Sequence, residues 1–438
     1  MPPSSSPAVL RRRISICALL LFGIWLAGGL ALLLEPRPRI ERLETIGSAF
    51  GEDSIMSSLD CGNGAALLDS EFRLHCFASH DGAHSIWEPG SNYDWNYAAW
   101  PGHGFFGASL AGELVLIDPS GRQVWQRNLI DDAGLEEVPF LILPMAGNDG
   151  RMYLLCSGGQ CHAYTANAAL AESFFVHDEM DLAGPLLLRS DGALYFTDKA
   201  GELWKCPGPD NEGQRGPVEA LHPLLQQGEV QEIWEARSGR LAMEQDGSDR
   251  RISTAPLAYI VASDHQGQRL SMDGDELRDV GLLSGGRLVR QLELLPAGNL
   301  VVVSEINGLN RLFLDPQAPR IGKEYCDLRR PLGPFEMRAG SGGRSLLLRA
   351  DLYECTAIMQ LVRDLARSYP ALDWLAQRNG GGLLVHDFSM RRDHLFGMPP
   401  GSRLLSWPDA EGYFLLLEPG PAGSRVRRCR LSFAGGRD

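Results

Sequence analysis

Lysine is almost missing from this chain. Lys199, Lys205 and Lys323 are the only three among 438 residues, and arginine supplies the rest of the 41 basic side chains. With 50 glycines and abundant alanine, this bias reads as the product of a GC-rich bacterial genome and implies no mechanism. No Cys-x2-Cys spacing occurs, which removes the usual thiolate clusters of zinc sites. Gly-x-Ser-x-Gly, His-Glu-x-x-His and Gly-x4-Gly-Lys-Ser/Thr are absent too. A nucleophile-elbow hydrolase, a zincin and a P-loop phosphate site therefore have no support. Asp273-Gly-Asp275-Glu276 is acidic but lacks the spacing of a calcium loop and reads as a solvated turn. Neither a catalytic residue nor a metal or cofactor site is predicted from motifs.

One long apolar run is present. Ile14 to Leu34 is a stretch of 21 residues with Ser15 its only polar member, and Arg11-Arg12-Arg13 stands in front of it. That length crosses a bilayer core as one helix. The arginines favour a cytoplasmic N-terminus. A cleaved signal peptide is the rival reading, with Gly29-Leu30-Ala31 as its site, but such apolar regions are shorter, about 7–15 residues. An uncleaved anchor is favoured. Gly23, Ala27 and Ala31 recur every fourth residue along it, a spacing that permits dimerisation through one helix face.

No acidic residue precedes Glu35, and three basic ones do, so the part beyond carries 38 basic and 55 acidic side chains, a net of −17. An acidic surface argues against nucleic acid and anionic lipid as partners. The expected organisation is a cytoplasmic tail (1–13), a transmembrane signal anchor (14–34), a linker (35–45) and an exported domain (46–438). The exported domain is expected in the periplasm, beside a bacterial inner membrane.

Eight cysteines lie beyond the run: Cys61, Cys76, Cys156, Cys161, Cys206, Cys326, Cys355 and Cys429. An even count in an exported domain suggests disulfides. Cys156 and Cys161 flank Ser157-Gly-Gly-Gln160 between two strand-like stretches, and a tight hairpin would set their sulfurs opposite each other. Cys61 with Cys76 is a second expected pair.

A turn with glycine followed by a short apolar run keeps returning. It starts at Gly64, Gly112, Gly150, Gly192, Gly239, Gly298, Gly343, Gly382 and Gly412, at intervals of 48, 38, 42, 47, 59, 45, 39 and 30 residues. Most intervals approach the roughly 40–50 residues of a four-stranded propeller blade. Asp149-Gly-Arg-Met-Tyr-Leu-Leu and Asp191-Gly-Ala-Leu-Tyr-Phe open a shared phrase: strand, Gly turn, strand. Gly112 to Trp125 carries the phrase from its first glycine, and Leu74 to Trp87 is a looser copy. The predicted fold class is an all-β propeller of seven or eight four-stranded blades, six being the lower bound, behind the N-terminal helix. Thr356 to Tyr369 has helical spacing, and a helical insertion over 356–380 competes there with a strand.

The phrase resembles the pyrroloquinoline-quinone-type repeat, whose pattern is a Gly-led strand, Asp-x-x-x-Gly, then a strand ending in Trp. Asp118-Pro-Ser-Gly121 with Trp125 matches best, one residue short between Asp and Gly. The resemblance implies a propeller. It does not extend to quinone-dependent dehydrogenases, which bind the quinone over adjacent cysteines, because no Cys-Cys pair occurs. The nearest analogue by resemblance is the propeller lipoprotein of the outer-membrane β-barrel assembly machine. Here a membrane helix replaces its lipidated cysteine.

Trp87, Tyr93, Trp95, Tyr97, Trp100, Phe105 and Phe106 place seven aromatics in twenty residues. Exposed Trp and Tyr on a rigid scaffold anchor partners. Trp87, Tyr93, Trp95, Tyr97 and Trp100 are therefore the candidate binding residues, the competing reading being packing between blades. His75, His80 and His84 sit close in sequence, but on two strands and a turn they are expected to face different ways. The functional expectation is a binding or scaffolding module within an envelope or inner-membrane protein complex. One alternative is a propeller hydrolase or lyase acting on envelope polysaccharide. Another is a ligand sensor working through a membrane partner.

Overall fold

The computed structural model describes residues 39–50, 55–90, 94–221, 229–236, 244–246, 249–251, 257–264, 267–273, 277–282, 289–295, 300–305, 308–314, 321–325, 335–340, 345–350, 382–388, 390, 392–399, 401–421 and 423–433. The apolar run 14–34 with Gly23, Ala27 and Ala31, Tyr93, Cys326, Cys355 and the segment 356–380 lie outside them.

The described strands form eight four-stranded antiparallel sheets and one two-stranded hairpin. In chain order, sheet 1 spans 55–87, sheet 2 95–128, sheet 3 142–175 and sheet 4 186–220. Sheet 5 spans 229–282 and carries the extra hairpin, sheet 6 spans 289–325, and sheet 7 spans 335–397. Sheet 8 takes its first three strands from 403–432, and its outer strand is Arg39–Phe50 from the other end of the chain. That strand pairs with Ser424–Ser432 from Arg39↔Ser432 to Phe50↔Ser424.

The sheets close into a ring. First strands neighbour one another in two runs: Ile55–Asp60 lies beside Trp95–Trp100, which lies beside Ile142–Ala146, and Leu186–Leu188, Glu229–Ala236, Val289–Leu295 and Phe335–Ala339 follow one another in the same way. Apolar clusters fill the spaces between sheets. Leu67 and Phe77 of sheet 1 meet Leu415 and Val426 of sheet 8. Phe106 and Leu116 of sheet 2 meet Met152 and Leu154 of sheet 3, while Tyr153 and Leu155 on the other face of sheet 3 meet Leu194 and Phe196 of sheet 4. Leu383 and Phe396 of sheet 7 meet Phe414 and Leu416 of sheet 8. Radial sheets that cover each other in this way, with the two chain ends sharing the last sheet, are a β-propeller.

The local sequence explains the radial order. Second strands such as Gly64–Asp69, Gly104–Ser109 and Met152–Cys156 are buried at every position. Both faces of such a strand touch a neighbouring sheet, so it reads as an unbroken apolar run. The outer strand Leu170–Phe175 alternates exposed and half-buried residues, the pattern of a strand with one wet face.

Three expectations change. Residues 39–45, expected as linker, belong to the outer strand of sheet 8. The recurring phrase does not fall on one structural element. From Asp149 and Asp191 it covers the second and third strands of sheets 3 and 4, whereas from Gly112 and Leu74 it covers the third and fourth strands of sheets 2 and 1. Gly343 and Gly382 lead two strands of one sheet. A glycine turn before an apolar strand serves any hairpin, so the phrase marks hairpins rather than one repeated position.

The expected Cys156–Cys161 bridge is absent, and both thiols are free. Gly158 and Gly159 take left-handed φ values of 85° and 81°, which closes the hairpin so that Leu155 pairs with Cys161. Cys156 is then one residue out of register. Side chains alternate across a strand, so its sulfur enters the cluster toward sheet 2 while that of Cys161 enters the cluster toward sheet 4. Cys61 and Cys76 share one apolar cluster and are also free. The Cys61 thiol donates to Asn63 Oδ1 and to the Gly64 carbonyl, each at 3.2 Å. The Cys76 thiol points at the Leu74 carbonyl, 3.7 Å away. Burial pushes both thiols up to about 12.

Candidate binding surface

The aromatic segment is built into the ring. Trp95 and Trp100 open and close the first strand of sheet 2, and both are buried. Trp95 belongs to the cluster between sheets 1 and 2, with Trp87 and Tyr97 half-buried against it. Its ring stacks with Tyr97 at 6.0 Å and meets Trp87 edge-on at 5.4 Å. The Tyr97 hydroxyl donates to the Phe72 carbonyl at 3.1 Å, and burial raises its pKa. Trp100 packs between sheets 2 and 3 and donates from Nε1 to the Gly150 carbonyl at 3.2 Å. Edge-on contacts continue through Phe106 to Trp125. These rings join neighbouring sheets. Trp95 and Trp100 present no surface to a partner, contrary to the expectation, because a wide inter-sheet gap needs large side chains to fill it.

The three histidines each contact a neighbouring side chain. His75 Nε2 lies 3.1 Å from Asp69 Oδ2, His84 stacks on Phe77 at 4.6 Å, and His80 lies against Tyr413. Among the described residues no group of three His, Cys, Asp or Glu side chains is placed to hold a metal ion. Other polar groups fasten sheet to sheet. Arg215 from the edge of sheet 4 pairs with Glu172 of sheet 3 (Nη2–Oε2 3.0 Å) and lies 3.8 Å over the Phe174 ring. Glu235 of sheet 5 accepts from Asn148 Nδ2 at 2.7 Å and from the Ser190 backbone N–H at 2.9 Å, linking the turns of sheets 3 and 4.

An accessible apolar surface occurs on one rim, where second strands turn into third strands and where the chain passes from sheet to sheet. After sheet 2 the chain forms a short helix α1 (Leu129–Ala133). The Asn128 side chain caps it by accepting from the Ile130 N–H, and Gly134 ends it at a left-handed φ of 63°. Buried Leu129 donates its N–H to the Gly112 carbonyl, which ties the helix to the turn of sheet 2. The chain then runs over the rim to Phe140 and Leu141. Leu141 exchanges hydrogen bonds with Ser157, in the turn of sheet 3. Phe175 pairs with Gln160 at the same turn. Phe140 is 91% exposed, Phe175 61%, and Leu110 and Leu141 38% each. Single exposed apolar side chains are ordinary; Phe140, Leu141 and Phe175 differ in being gathered about one turn, Ser157–Gln160. Nothing in the sequence distinguishes the two phenylalanines: Phe140 lies in Pro139-Phe140-Leu141 and Phe175 in Phe174-Phe175-Val176, short apolar stretches of the kind that any buried strand shows.

No protein-family model and no curated protein matches the sequence. Among solved structures the chain is similar to the C-terminal WD40 domain of Sif2, at 11% identity over 91% of this chain and 99% of that one, with a TM-score of 0.48. It is similar to BamB from Moraxella catarrhalis at 10% identity over 89% and 99%, with a TM-score of 0.40. Dihydro-heme d1 dehydrogenase NirN, in complex with DHE, is similar at 13% identity over 79% and 66%, with a TM-score of 0.43. The class of the protein, a β-propeller, rests on the closed ring of sheets described above.

Proposed function

We propose that this chain is an eight-bladed propeller that works as a non-catalytic binding and scaffolding module, tethered by residues 14–34 to the bacterial inner membrane with the propeller in the periplasm. The observation that carries this reading is the exposed Phe140, Leu141 and Phe175 on the rim of an otherwise closed ring. A rigid scaffold that offers loops at its rim is suited to holding a partner. The attachment point supports the same arrangement. Arg39 begins the outer strand of sheet 8 and pairs with Ser432, at the rim opposite the one that bears Phe140. Only Glu35-Pro-Arg-Pro38 separates that strand from the apolar run, and a proline-rich spacer is short and stiff. The apolar rim therefore faces away from the bilayer, toward protein partners.

The test is crosslinking in cells from a photoreactive residue at position 140 or 175 of the full-length protein, against position 122 on the opposite rim. The expected result is a reproducible envelope protein crosslinked from 140 and 175 and absent from 122. Crosslinks from 122 alone would remove the rim from the function.

A further inference from the structure

We infer that the apolar rim receives a cationic, amphipathic segment of a partner protein, an inference that rests on the binding-module reading. The apolar side chains do not stand alone. Asp94, Asp131, Glu136, Glu137, Asp178 and Glu179 are all exposed along the same stretch of rim. The Asp94 backbone carbonyl accepts from the Leu110 N–H at 3.1 Å, so the residue adjoins the first exposed leucine. Asp131 is in α1, Glu136 and Glu137 lie between α1 and Phe140, and Asp178 and Glu179 follow Phe175 closely. The nearby cations do not balance them. Arg127 is already paired with Asp132 (Nε–Oδ2 3.1 Å), and Lys199 is a single charge, in the turn whose backbone N–H bonds the Glu179 carbonyl. An apolar centre with an acidic border selects a segment that presents aliphatic or aromatic anchors flanked by Lys or Arg. The anchors supply the apolar burial, and the charges supply orientation and discrimination against acidic partners.

Three other occupants fit less well. A second copy of this chain carries a net charge of −14, and like charges would meet at the rim. The segment 351–381 falls in sequence between the second and third strands of sheet 7, four sheets around the ring from sheet 3. It carries four acidic and three basic residues, a net of −1, which does not complement the border. A lipid surface is disfavoured because this rim is opposite the end of the outer strand that leads to the membrane run.

The test uses the full-length chain in phosphatidylcholine nanodiscs and three labelled peptides of equal length: a Leu/Lys amphipathic helix, a Leu/Glu helix of the same pattern, and a Ser/Lys peptide without anchors. Binding is followed by fluorescence anisotropy as a function of salt. The Leu/Lys peptide should bind and the other two should not. Phe140→Ser with Phe175→Ser should weaken binding at least about tenfold, as expected for loss of central anchors. Glu136→Gln with Glu137→Gln should weaken it severalfold and flatten the salt dependence. These four side chains are exposed, so an unchanged thermal midpoint verifies that the variants remain folded. Equal binding of the Leu/Glu or Ser/Lys peptide, or unaltered binding by the phenylalanine variant, would overturn the proposal. Crosslinks from position 140 in cells together with no Leu/Lys binding would leave the module in place and refute the cationic partner. Loss of the crosslinks themselves would refute the module.

Discussion

Trp100 sits between sheets 2 and 3 with its indole N–H on the Gly150 carbonyl. Trp100→Ala should cost about 3–5 kcal/mol of stability through the cavity alone, with a further loss from the stranded carbonyl. Urea unfolding monitored by circular dichroism reads this directly, and a variant within about 1 kcal/mol of the parent would contradict the assignment to the core. Cysteines are decided at the same scale. Burial holds Cys61, Cys76 and Cys156 as thiols with pKa values pushed up to about 12, and Cys161 well above its ordinary value. Alkylation of the folded chain at pH 8, mapped by mass spectrometry, should leave all four unmodified, and denaturation should make all four react without a reductant. A reductant requirement for any of them would restore a disulfide. Carboxylates in turns behave oppositely. Burial pulls Asp118 and Asp198 upward, but hydrogen bonds outweigh it: from Ser120 and Arg122 to Asp118, and from the Glu202 backbone and the Trp204 indole to Asp198. The net pKa of each lies below the ordinary value. A carboxyl more acidic in the folded state stabilises the fold above its unfolded pKa of about 3.9, and that contribution fades as pH falls through the lower folded value. The thermal midpoint should therefore drop below about pH 4, and Asp118→Asn with Asp198→Asn should flatten the drop while lowering the midpoint at pH 7.

At the scale of elements, the outer strand Arg39–Phe50 closes the ring by pairing along Ser424–Ser432. Removing residues 39–50 leaves sheet 8 with three strands and an open edge, which invites aggregation. The truncated chain should lose its single cooperative transition and elute as aggregate in size-exclusion chromatography, and a monomer with an unchanged midpoint would show that closure is dispensable. Strands were legible in the sequence because apolar runs bounded by glycine turns can scarcely form anything else. Their place within a sheet was not. Gly104-Phe-Phe leads the second strand of sheet 2, yet the phrase from Gly112 sits one strand further on, and a local pattern carries no label for the strand it will pair with. The Cys156–Cys161 hairpin failed similarly: its glycines were visible, but a register shift of one residue moves a side chain to the other face.

For the whole molecule, ring order sets which side chains end up on which rim. The proposed geometry places position 122 near the bilayer and position 140 away from it. With the full-length chain in vesicles carrying a headgroup-linked acceptor, a donor at 122 should transfer energy more efficiently than one at 140, and the reverse order would invert the orientation. The aromatic segment 87–106 looked like a site because composition alone cannot tell a surface ring from a core ring. Phe140 and Phe175, far apart in the chain, are both held about the Ser157–Gln160 turn of sheet 3, Phe140 next to the Leu141–Ser157 hydrogen bonds and Phe175 by its pairing with Gln160.

The sequence by itself determined the all-β class, the propeller-like spacing, the acidic balance and the apolar run at 14–34, because each follows from local composition or from a period along the chain. Tertiary structure decided the sheet order, the closure through Arg39–Phe50, the free state of the buried thiols, the burial of Trp95 and Trp100 and the exposure of the Phe140 rim. Each of these depends on which strands become neighbours. That choice is made by long-range packing between sheets, and residues far apart in the chain leave no mark of it on their own surroundings.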